Sequence, residues 1–381
     1  MKIQNFQTNR FVNRLFSGKH FFCALLLGVT ATAPAQITPG NLVIYRVGDG
    51  TGALGTTATS VFLDEYTTLG AFVQSIALPT TGGSAFTATG NSTTEGIISR
   101  SQDGSSLIYT GYRKAAGGTS PAADNYNTTR RVIGTLTAAG TVNTATVLTN
   151  DGGAITANAI RSATSVDGTS AFWVSTATRV SYDAVGLGSG GTTQIDLRNS
   201  RQVNLSGNTL YAANGSTAIT GKVQTYGTLP TGATAANPIV SLTTADAVNG
   251  FVLMDLDPGT AGDDTLYALS TVENLLRKYH FNGASWVADG SISASNSVNL
   301  TGYVIGTTAN LFLTSGSSLF AYSDASGFGG TETGALGAAI AASGLNTAFR
   351  GIGLFAPVPE PSVMGLAAVG AAMLVWRRRR A

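Results

Sequence analysis

The fold is decided by a recurring unit in which a tight turn precedes a short strand, and its clearest copy is Asp103-Gly104-Ser105-Ser106-Leu107-Ile108-Tyr109-Thr110. The Asp-Gly pair supplies the positive backbone angles of a tight hairpin. The β-branched and aromatic residues after it favour extended backbone, and we predict that the tyrosine packs between adjacent sheets. Related turns elsewhere in the sequence are Asp167-Gly168-Thr169, Ser206-Gly207-Asn208 and Gly262-Asp263-Asp264.

Short strand-like runs bounded by Gly, Asn, Asp and Ser continue on both sides of this unit, through residues 36–357. No long stretch between them has the 3.6-residue period of a helix, and Ala339–Ala342 is predicted as no more than one short helical turn. The body is therefore predicted to be all-β. The strand-like runs are Asn41–Val47, Ser106–Thr110, Ala171–Ser175, Thr209–Ala212, Thr265–Leu269, Asn310–Thr314 and Phe349–Phe355.

The spacing of the aromatic strands predicts the architecture. These strands begin near positions 107, 172, 210, 266 and 311, at intervals of about 65, 38, 56 and 45 residues. Their mean is close to the roughly 40–50 residues of one four-stranded propeller blade. A body of about 320 residues would then hold six or seven blades of a β-propeller-like fold. A right-handed β-helix, with coils of roughly 20–30 residues, or a β-sandwich is the alternative.

The two ends of the body give a further prediction. Leu42–Val47 is strand-like at the start of the body, and Phe349–Phe355 is strand-like at its end. Pairing these two strands within one blade would close the ring and remove an exposed sheet edge. We therefore predict that the first and last strands of the body are neighbours.

The composition excludes several classes of protein. The 381 residues are 43% hydrophobic and only 11% charged, which suits a packed core and is unlike a disordered chain. Long apolar runs occur only near the two ends, which excludes a protein with many membrane spans. Residues 1–35 and the last twenty residues each hold four bases and no acids. The remaining 14 bases and 20 acids give the body a charge of about −6, so nucleic-acid binding is not expected.

The N-terminal region, residues 1–35, has the three parts of a secretory signal peptide. A basic stretch precedes the apolar residues Phe21–Val29, and Ala33 and Ala35 then give the small-x-small spacing that signal peptidase requires. The apolar run covers about 14 Å as a helix, which is too short to span a bilayer. We expect cleavage after Ala35, which also removes Cys23, the one cysteine of the chain.

The C-terminal tail, residues 358–381, also has three parts. Val358-Pro359-Glu360-Pro361 comes first, and its prolines hold Glu360 in an extended peptide that a protease can grip. Residues 362–376 are uncharged, and as a transmembrane helix they would cover about 22 Å of the roughly 30 Å hydrocarbon core. Arg377-Arg378-Arg379-Arg380 resists translocation and would hold this end in the cytoplasm.

This order of motif, membrane span and basic cluster resembles the PEP-CTERM sorting signal of exported bacterial proteins, and Val358–Pro361 matches its motif. The resemblance covers residues 358–381. It implies recognition by an exosortase, a membrane-embedded cysteine transpeptidase that processes the tail at the Pro-Glu-Pro motif. It also implies a bacterium that makes exopolysaccharide, a transient inner-membrane intermediate, and a mature body at the cell surface or in the extracellular matrix. An unprocessed C-terminal anchor is the alternative.

The body offers few residues for catalysis. Its one histidine, His280, precedes a predicted hairpin turn at Asn282-Gly283, and no Gly-x-Ser-x-Gly elbow accompanies it. One histidine without a cysteine does not suit a zinc or copper site. Gly186–Gly191 lacks the Lys-Ser/Thr end of a phosphate loop and is predicted to be a flexible loop. Asp64-Glu65 is predicted to be a solvated turn.

Carboxylates give one candidate metal site. Asp255, Asp257, Asp263 and Asp264 fall close together in the sequence, and oxygen-rich loops bind calcium, although the spacing differs from that of an EF-hand. The same residue types also form ordinary turns, so no cofactor is required. Several aromatic residues could stack on sugar rings but are more simply interpreted as packing between sheets; they are Tyr112, Tyr126, Trp173, Tyr182, Trp286 and Tyr303.

The sequence therefore predicts an exported, non-enzymatic structural or binding protein of the bacterial envelope or exopolysaccharide matrix. Its expected partners are signal peptidase, an exosortase-type transpeptidase and, before processing, the membrane, with polysaccharide as a candidate ligand. The alternative is a secreted propeller hydrolase or lyase that uses carboxylates and calcium.

Overall fold

The computed structural model describes residues 36–294 and 296–355, and the protein is all-β over this range, as predicted. The described helices are single 3₁₀ turns at Gly82–Ser84 and Pro121–Ala123. No helix among the described residues has the length and the apolar composition that crossing a membrane requires.

The predicted targeting segments lie outside the described residues. They comprise the signal peptide with Ala33 and Ala35, the motif Val358–Pro361, the apolar residues 362–376 and the basic cluster Arg377–Arg380. The predictions for these segments therefore depend on the sequence.

The first half of the described chain forms units 1 to 3, each of which is a four-stranded antiparallel sheet; the fourth strand of unit 1 comes from the end of the body and is described below. Unit 1 contains β1 (Leu42–Val47), β2 (Ala58–Tyr66) and β3 (Phe72–Ala77), and β4 (Thr87–Thr89) joins it to unit 2 by pairing with strands of both units. Unit 2 contains β5 (Ser99–Arg100), β6 (Ser106–Tyr112), β7 (Arg131–Thr137) and β8 (Val142–Leu148). Unit 3 contains β9 (Ile160–Thr164), β10 (Phe172–Thr176), β11 (Val180–Asp183), and, after the short β12 (Ser189–Gly190), β13 (Thr193–Asp196).

The second half repeats the same plan. Unit 4 contains β14 (Ser200–Ser206), β15 (Thr209–Asn214), β16 (Gly221–Thr228) and β17 (Asn237–Ser241). Unit 5 contains β18 (Val248–Met254), β19 (Thr265–Ser270), β20 (Leu275–Phe281) and β21 (Trp286–Ser293). Unit 6 contains β22 (Ser297–Ile305), β23 (Thr308–Ser315), β24 (Ser318–Asp324) and β25 (Ala341–Ala342), and the chain then continues into β26 (Ala348–Leu354).

The last strand, β26, belongs to unit 1. It pairs antiparallel with β1 in a register that places Leu42 opposite Leu354 and Val47 opposite Ala348, with a bulge between Ile44 and Arg46. Unit 1 therefore takes its first strand from the end of the body and its other three from the start. This confirms the predicted pairing of the first and last strands.

Apolar layers separate the units, because successive residues of a strand point to opposite faces of its sheet. On β6, for example, Ile108 faces unit 3 and Tyr109 faces unit 1. Six such layers form, one between each pair of consecutive units and one between unit 6 and unit 1. Representative pairs, in that order, are Leu63 with Tyr109, Tyr112 with Phe172, Trp173 with Val203, Val223 with Phe251, Tyr267 with Leu313, and Phe312 with Phe349.

The first strands of the six units surround a common axis. Each contacts the next in the order β26, β5, β9, β14, β18 and β22, and β22 contacts β26. Hydrogen bonds connect the first-strand segments at five of these six junctions. They run from Gly351 N to Gly96 O (3.0 Å), Ile97 N to Arg161 O (3.1 Å), Val203 N to Ser162 Oγ (2.8 Å), Phe251 N to Gln202 Oε1 (2.8 Å) and Ile352 N to Asn299 Oδ1 (3.0 Å).

The predicted turn-and-strand repeat marks the second strand of each unit from 2 to 6. The aromatic strands are β6, β10, β15, β19 and β23, and each predicted turn connects the first strand of its unit to the second. The irregular spacing arises because loops and outer strands differ in length between units. The turn glycines have the expected positive φ angles, namely 75° at Gly104, 71° at Gly168, 52° at Gly207 and 99° at Gly262.

Three local predictions are wrong. Ala339–Ala342 contains the strand β25 rather than a helical turn. Gly186–Gly191 contains β12, which pairs in parallel with β8. Asp64-Glu65 is buried in β2 rather than solvated, because residues distant in sequence provide partners for both carboxylates. Arg46 lies 2.5 Å from Asp64. Glu65 accepts hydrogen bonds from Thr38 N and from the side chains of Asn41 and Gln74.

Ring closure can be tested at Gly351 on β26. A Cβ atom there would lie 2.2 Å from Gly96 O and 2.4 Å from Ile98 N, and backbone atoms cannot rotate away as a side chain can. We predict that Gly351→Ala lowers the free energy of unfolding by about 1–3 kcal/mol, the usual range for overpacked sites. Urea unfolding of the full chain measures this change.

Gly337→Ala is the matched control, because nothing lies within 4 Å of a Cβ atom at Gly337. Its free energy of unfolding should stay within about 0.5 kcal/mol of the unsubstituted protein. Equal stability of the two variants would contradict the close contact between β26 and unit 2.

Candidate functional site

A cavity of about 240 Å³ opens on the axis, at the end where the first strands finish. Residues from β5, β14, β18, β22 and β26 line it, so five of the six units contribute. We call it the axial cavity. Its apolar walls include Leu253 and Leu354, and its polar lining residues include Arg100, Gln102, Asn204, Ser206, Asp263 and Thr301.

Hydrogen bonds between units fix part of the cavity rim. Gln102 Nε2 donates to Asn208 Oδ1 at 2.8 Å, and Asn208 N donates back to Gln102 Oε1 at 3.2 Å, which connects unit 2 to unit 4. Ser206 Oγ donates to Asp263 Oδ2 at 2.5 Å, which connects unit 4 to unit 5. The turns that carry these side chains are therefore held together around the cavity.

Arg100 and Asp263 supply opposite charges to the cavity. The surrounding walls desolvate the Arg100 guanidinium and lower its pKa, whereas the negative charge of Asp263 acts in the opposite direction. The cavity thus combines hydrogen-bonding groups with one positive and one negative charge, an arrangement suited to a polar ligand.

The four predicted calcium ligands do not share this site. Asp264 is buried, and its carboxylate accepts hydrogen bonds from Leu256 N at 3.0 Å, Asp257 N at 2.8 Å and Thr265 Oγ1 at 2.8 Å. It therefore stabilises the loop between β18 and β19 as a turn acceptor.

The other acids of that run have separate roles. Asp257 accepts hydrogen bonds from Gly259 N at 3.1 Å and Thr260 Oγ1 at 2.9 Å, and Asp263 alone lines the axial cavity. Desolvation and the neighbouring acids, first among them Asp264, raise the pKa of Asp255. Within residues 36–294 and 296–355, no three Asp, Glu, His or Cys side chains form a group that could hold a metal ion. The calcium hypothesis stays a prediction without support from this arrangement.

His280 lies on β20, in an outer part of unit 5. The predicted hairpin is present, with φ of 90° at Gly283 and β21 as the returning strand. The His280 Nδ1 atom lies 2.7 Å from Asp289 Oδ1, and its ring packs edge-on against Phe328 at 5.1 Å between centroids. The histidine is thus a half-buried residue that pairs with Asp289 within its own unit.

The aromatic residues largely follow the packing interpretation. Tyr112, Tyr126 and Trp173 are buried between units, whereas Tyr182, Trp286 and Tyr303 are half-buried.

Sequence reasoning missed Arg100, Gln102, Asn204 and Thr301 as cavity residues, since no motif surrounds them. A signal existed for two of them, because Arg100 and Asn204 lie on strands that precede a predicted turn, and those strands are near the axis.

The four acidic residues between positions 255 and 264 provide a test of the calcium hypothesis. We predict that Asp264→Asn lowers the free energy of unfolding by about 1–3 kcal/mol, because the charged acceptor of three hydrogen bonds is lost. Asp255→Asn is the control and should not destabilise the protein, because Asp255 is exposed among like charges. Thermal melts in millimolar calcium and in chelator should coincide for the unsubstituted full chain. A melting temperature that rises with calcium and loses this rise in Asp255→Asn would contradict our assignment of these carboxylates.

Three solved structures illustrate what the described body is similar to. The periplasmic gluconolactonase PpgL of Pseudomonas aeruginosa is 10% identical, with a TM-score of 0.44 over 84% of this chain and 99% of that one. The nidogen/laminin complex is 12% identical, with a TM-score of 0.45 over 82% and 97%. A putative 6-phosphogluconolactonase from Bacteroides uniformis ATCC 8492 is 12% identical, with a TM-score of 0.37 over 74% and 92%. Comparison with curated protein sequences gives no match.

The C-terminal tail gives a family match. Residues 357–380 match the family model described as the PEP-CTERM protein-sorting motif. This range contains the predicted motif Val358–Pro361, the apolar residues 362–376 and the basic cluster Arg377–Arg380. The match confirms the resemblance inferred from the sequence, and the chain carries the PEP-CTERM sorting motif of exported, exosortase-sorted proteins.

Proposed function

We propose that this chain is a surface-directed, non-enzymatic structural or binding protein of the bacterial envelope or exopolysaccharide matrix, built on a six-bladed β-propeller. The observation that carries the proposal is the sorting motif at residues 357–380. It follows directly on a folded body that ends with β26, so the tail can be removed without loss of a strand.

The six-bladed assignment is supported by the cyclic order of the units. Six apolar layers separate six units, and the sixth layer brings unit 6 against unit 1. The first strands follow one another around one axis, and the last strand of the body completes the first unit. Antiparallel four-stranded units in this order are typical of a propeller, whereas a β-helix stacks parallel strands.

The proposed route to the surface uses both ends of the chain. Signal peptidase cleaves after Ala35, and the body crosses the membrane while residues 362–376 stop within it. Arg377–Arg380 remains in the cytoplasm, and an exosortase then processes the tail at Pro359-Glu360-Pro361. The body is released from a transient inner-membrane intermediate to the surface or matrix.

The axial cavity supports a binding role rather than catalysis. Gln102, Asn204 and Thr301 supply uncharged hydrogen-bonding groups of the kind that contact hydroxyl-rich ligands such as polysaccharide segments. General acid–base catalysis at neutral pH most often uses histidine, and His280 lies away from the cavity and pairs with Asp289.

The sorting step can be tested in the bacterium that makes the protein, with an epitope in the body of the full chain. We predict that the extracellular form lacks peptides from residues 363–376 in mass spectrometry. Replacing Pro359, Glu360 and Pro361 together by Ala should leave the chain uncut in the membrane fraction, because the rigid motif that the protease grips is lost.

Ser362→Ala is the matched control, since it changes a residue next to the motif and leaves the motif intact. It should be processed like the unsubstituted chain. Extracellular protein that retains residues 363–376, or a triple variant distributed like the control, would overturn the proposed route.

A further inference from the structure

The end of the axis opposite the cavity carries a group of arginines. Arg161 on β9, Arg201 on β14 and Arg350 on β26 each occupy the second or third position of a first strand, whereas the cavity is lined by later positions of these strands or their neighbours. We call Arg161, Arg201 and Arg350 the axial arginine cluster. Sequence reasoning gave no role to these three residues.

Arg161 and Arg201 are connected through the backbone and side-chain amide groups of the segments that lie between them. Arg161 Nη1 donates to Ser200 O at 2.7 Å and also to Asn199 Oδ1, and Asn199 Nδ2 donates to Gly215 O at 3.3 Å. The Arg201 guanidinium lies over Gly215, where a Cβ atom would come within 2.3 Å of Arg201 Nε. Arg161 and Arg201 therefore share one pocket of backbone and amide groups.

The segment before β5 connects Arg161 to Arg350. Arg350 Nη2 donates to Gly90 O at 3.0 Å. Gly96 O accepts a hydrogen bond from the backbone of β26, and Ile97 N donates one to the backbone of β9. Glu95 lies on this segment and is 4% exposed. Its oxygens accept hydrogen bonds from Thr89 N at 3.0 Å and Tyr112 Oη at 2.9 Å.

The positive charge of the cluster is not balanced. Arg161 and Arg350 are 6% and 4% exposed, and Arg201 is half-buried. Among the described residues, none of the three has a carboxylate oxygen within 4.0 Å. Glu95 is the one acid whose charge acts on Arg161 and Arg350, so three positive charges face one carboxyl group. Burying such an excess of charge is unfavourable unless an anion compensates for it.

Hydrogen-bond donors in the cluster are also unsatisfied. The Nε atoms of Arg161, Arg201 and Arg350 are buried and have no hydrogen-bond partner within the described protein, and the same holds for Asn299 Nδ2 on β22. Guanidinium groups bind the oxygens of carboxylates and phosphates through paired N–H donors. Buried donors without partners are rare in folded proteins and mark places where a ligand can supply the acceptor.

The pKa values of the cluster and of Glu95 also indicate that positive charge is buried there without compensation. Burial, followed by the charge of Arg201, lowers the pKa of Arg161 to about 9, and burial lowers the pKa of Arg201 to about 10. Burial also lowers the pKa of Arg350 and raises that of Glu95. A bound anion would stabilise the charged guanidinium groups and so reverse the lowering of the three arginine pKa values.

We propose that the axial arginine cluster binds the oxyanion group, carboxylate or phosphate, of a small or polymer-borne ligand. The inference rests on the proposed binding role of the body but not on its route to the surface. An acidic exopolysaccharide would present such groups as uronic acid carboxylates or as phosphate substituents.

Isothermal titration of the purified full chain tests the proposal with D-glucuronate, D-glucose and inorganic phosphate as probes. We expect glucuronate, phosphate or both to bind at the cluster and glucose not to bind there. Binding of glucuronate alone assigns a carboxylate ligand, and binding of phosphate alone assigns a phosphate ligand. Absence of binding by both anions overturns the proposal, whether or not the sorting experiment succeeds.

Two substitutions place the anion at the cluster. Arg201→Gln should weaken anion binding at least about tenfold, and the fold should tolerate it because the guanidinium makes no hydrogen bond in the described structure. Glu95→Gln keeps one acceptor oxygen for Tyr112, loses the acceptor for Thr89 N and removes the competing carboxyl charge, so anion binding should tighten by about two- to tenfold. Urea unfolding of each variant checks that it is folded.

Arg277→Gln is the matched control: its Nε atom also lacks a partner among the described residues, but Arg277 already has a carboxylate in its ion pair with Glu273 on an outer strand, so its charge is balanced. Its anion affinity should equal that of the unsubstituted chain. Equal loss of affinity in Arg201→Gln and Arg277→Gln would mean non-specific charge attraction and would overturn the assignment to the cluster.

Discussion

The antiparallel pairing of β1 with β26 is the constraint on which the rest of the structure depends. It brings residues from the two ends of the body into one sheet, Leu42 opposite Leu354, and so supplies unit 1 with its first strand. Without that strand, the layers on both sides of unit 1 would lose Phe349, Ile352 and Phe355, and the axis would open between units 2 and 6. This pairing also leaves no long unpaired strand edge where the two ends of the body meet.

The composition of the chain follows from this arrangement. Second strands such as β6, β10 and β19 are covered by neighbouring units on both faces, so they consist mainly of apolar and small residues rather than of alternating apolar and charged ones. On β6, all seven residues from Ser106 to Tyr112 are buried. Charged residues are consequently few, and some of those inside form ion pairs, such as Lys278 with Asp324 at 2.7 Å. The high glycine content supplies the turns between strands.

The sequence predicted the second strands of the units because these combine a turn glycine with a buried aromatic residue. It predicted ring closure because both terminal runs were strand-like. The first strands of units 2 to 6 were not predicted; β5, for example, has only two residues, and β14 carries Arg201, Gln202 and Asn204 among its apolar positions. Most residues of both candidate sites lie on or next to the first strands of the units. Of the acids singled out from the sequence, Asp263 alone reaches the axial cavity, and Glu65 was misjudged because its partners Thr38 and Gln74 are distant in sequence.

The axis thus carries two chemically distinct ends, a polar cavity with balanced charge and a buried cluster with excess positive charge. Both exist only if the six first strands form a closed ring. Native-state hydrogen exchange of the full chain, followed by mass spectrometry, measures this closure directly. We predict that backbone amides of β1 and β26 exchange only through global unfolding, with the same opening free energy as those of β19. Exchange of the β26 amides as fast as those of the exposed loop at Gly259–Gly262 would contradict a closed ring.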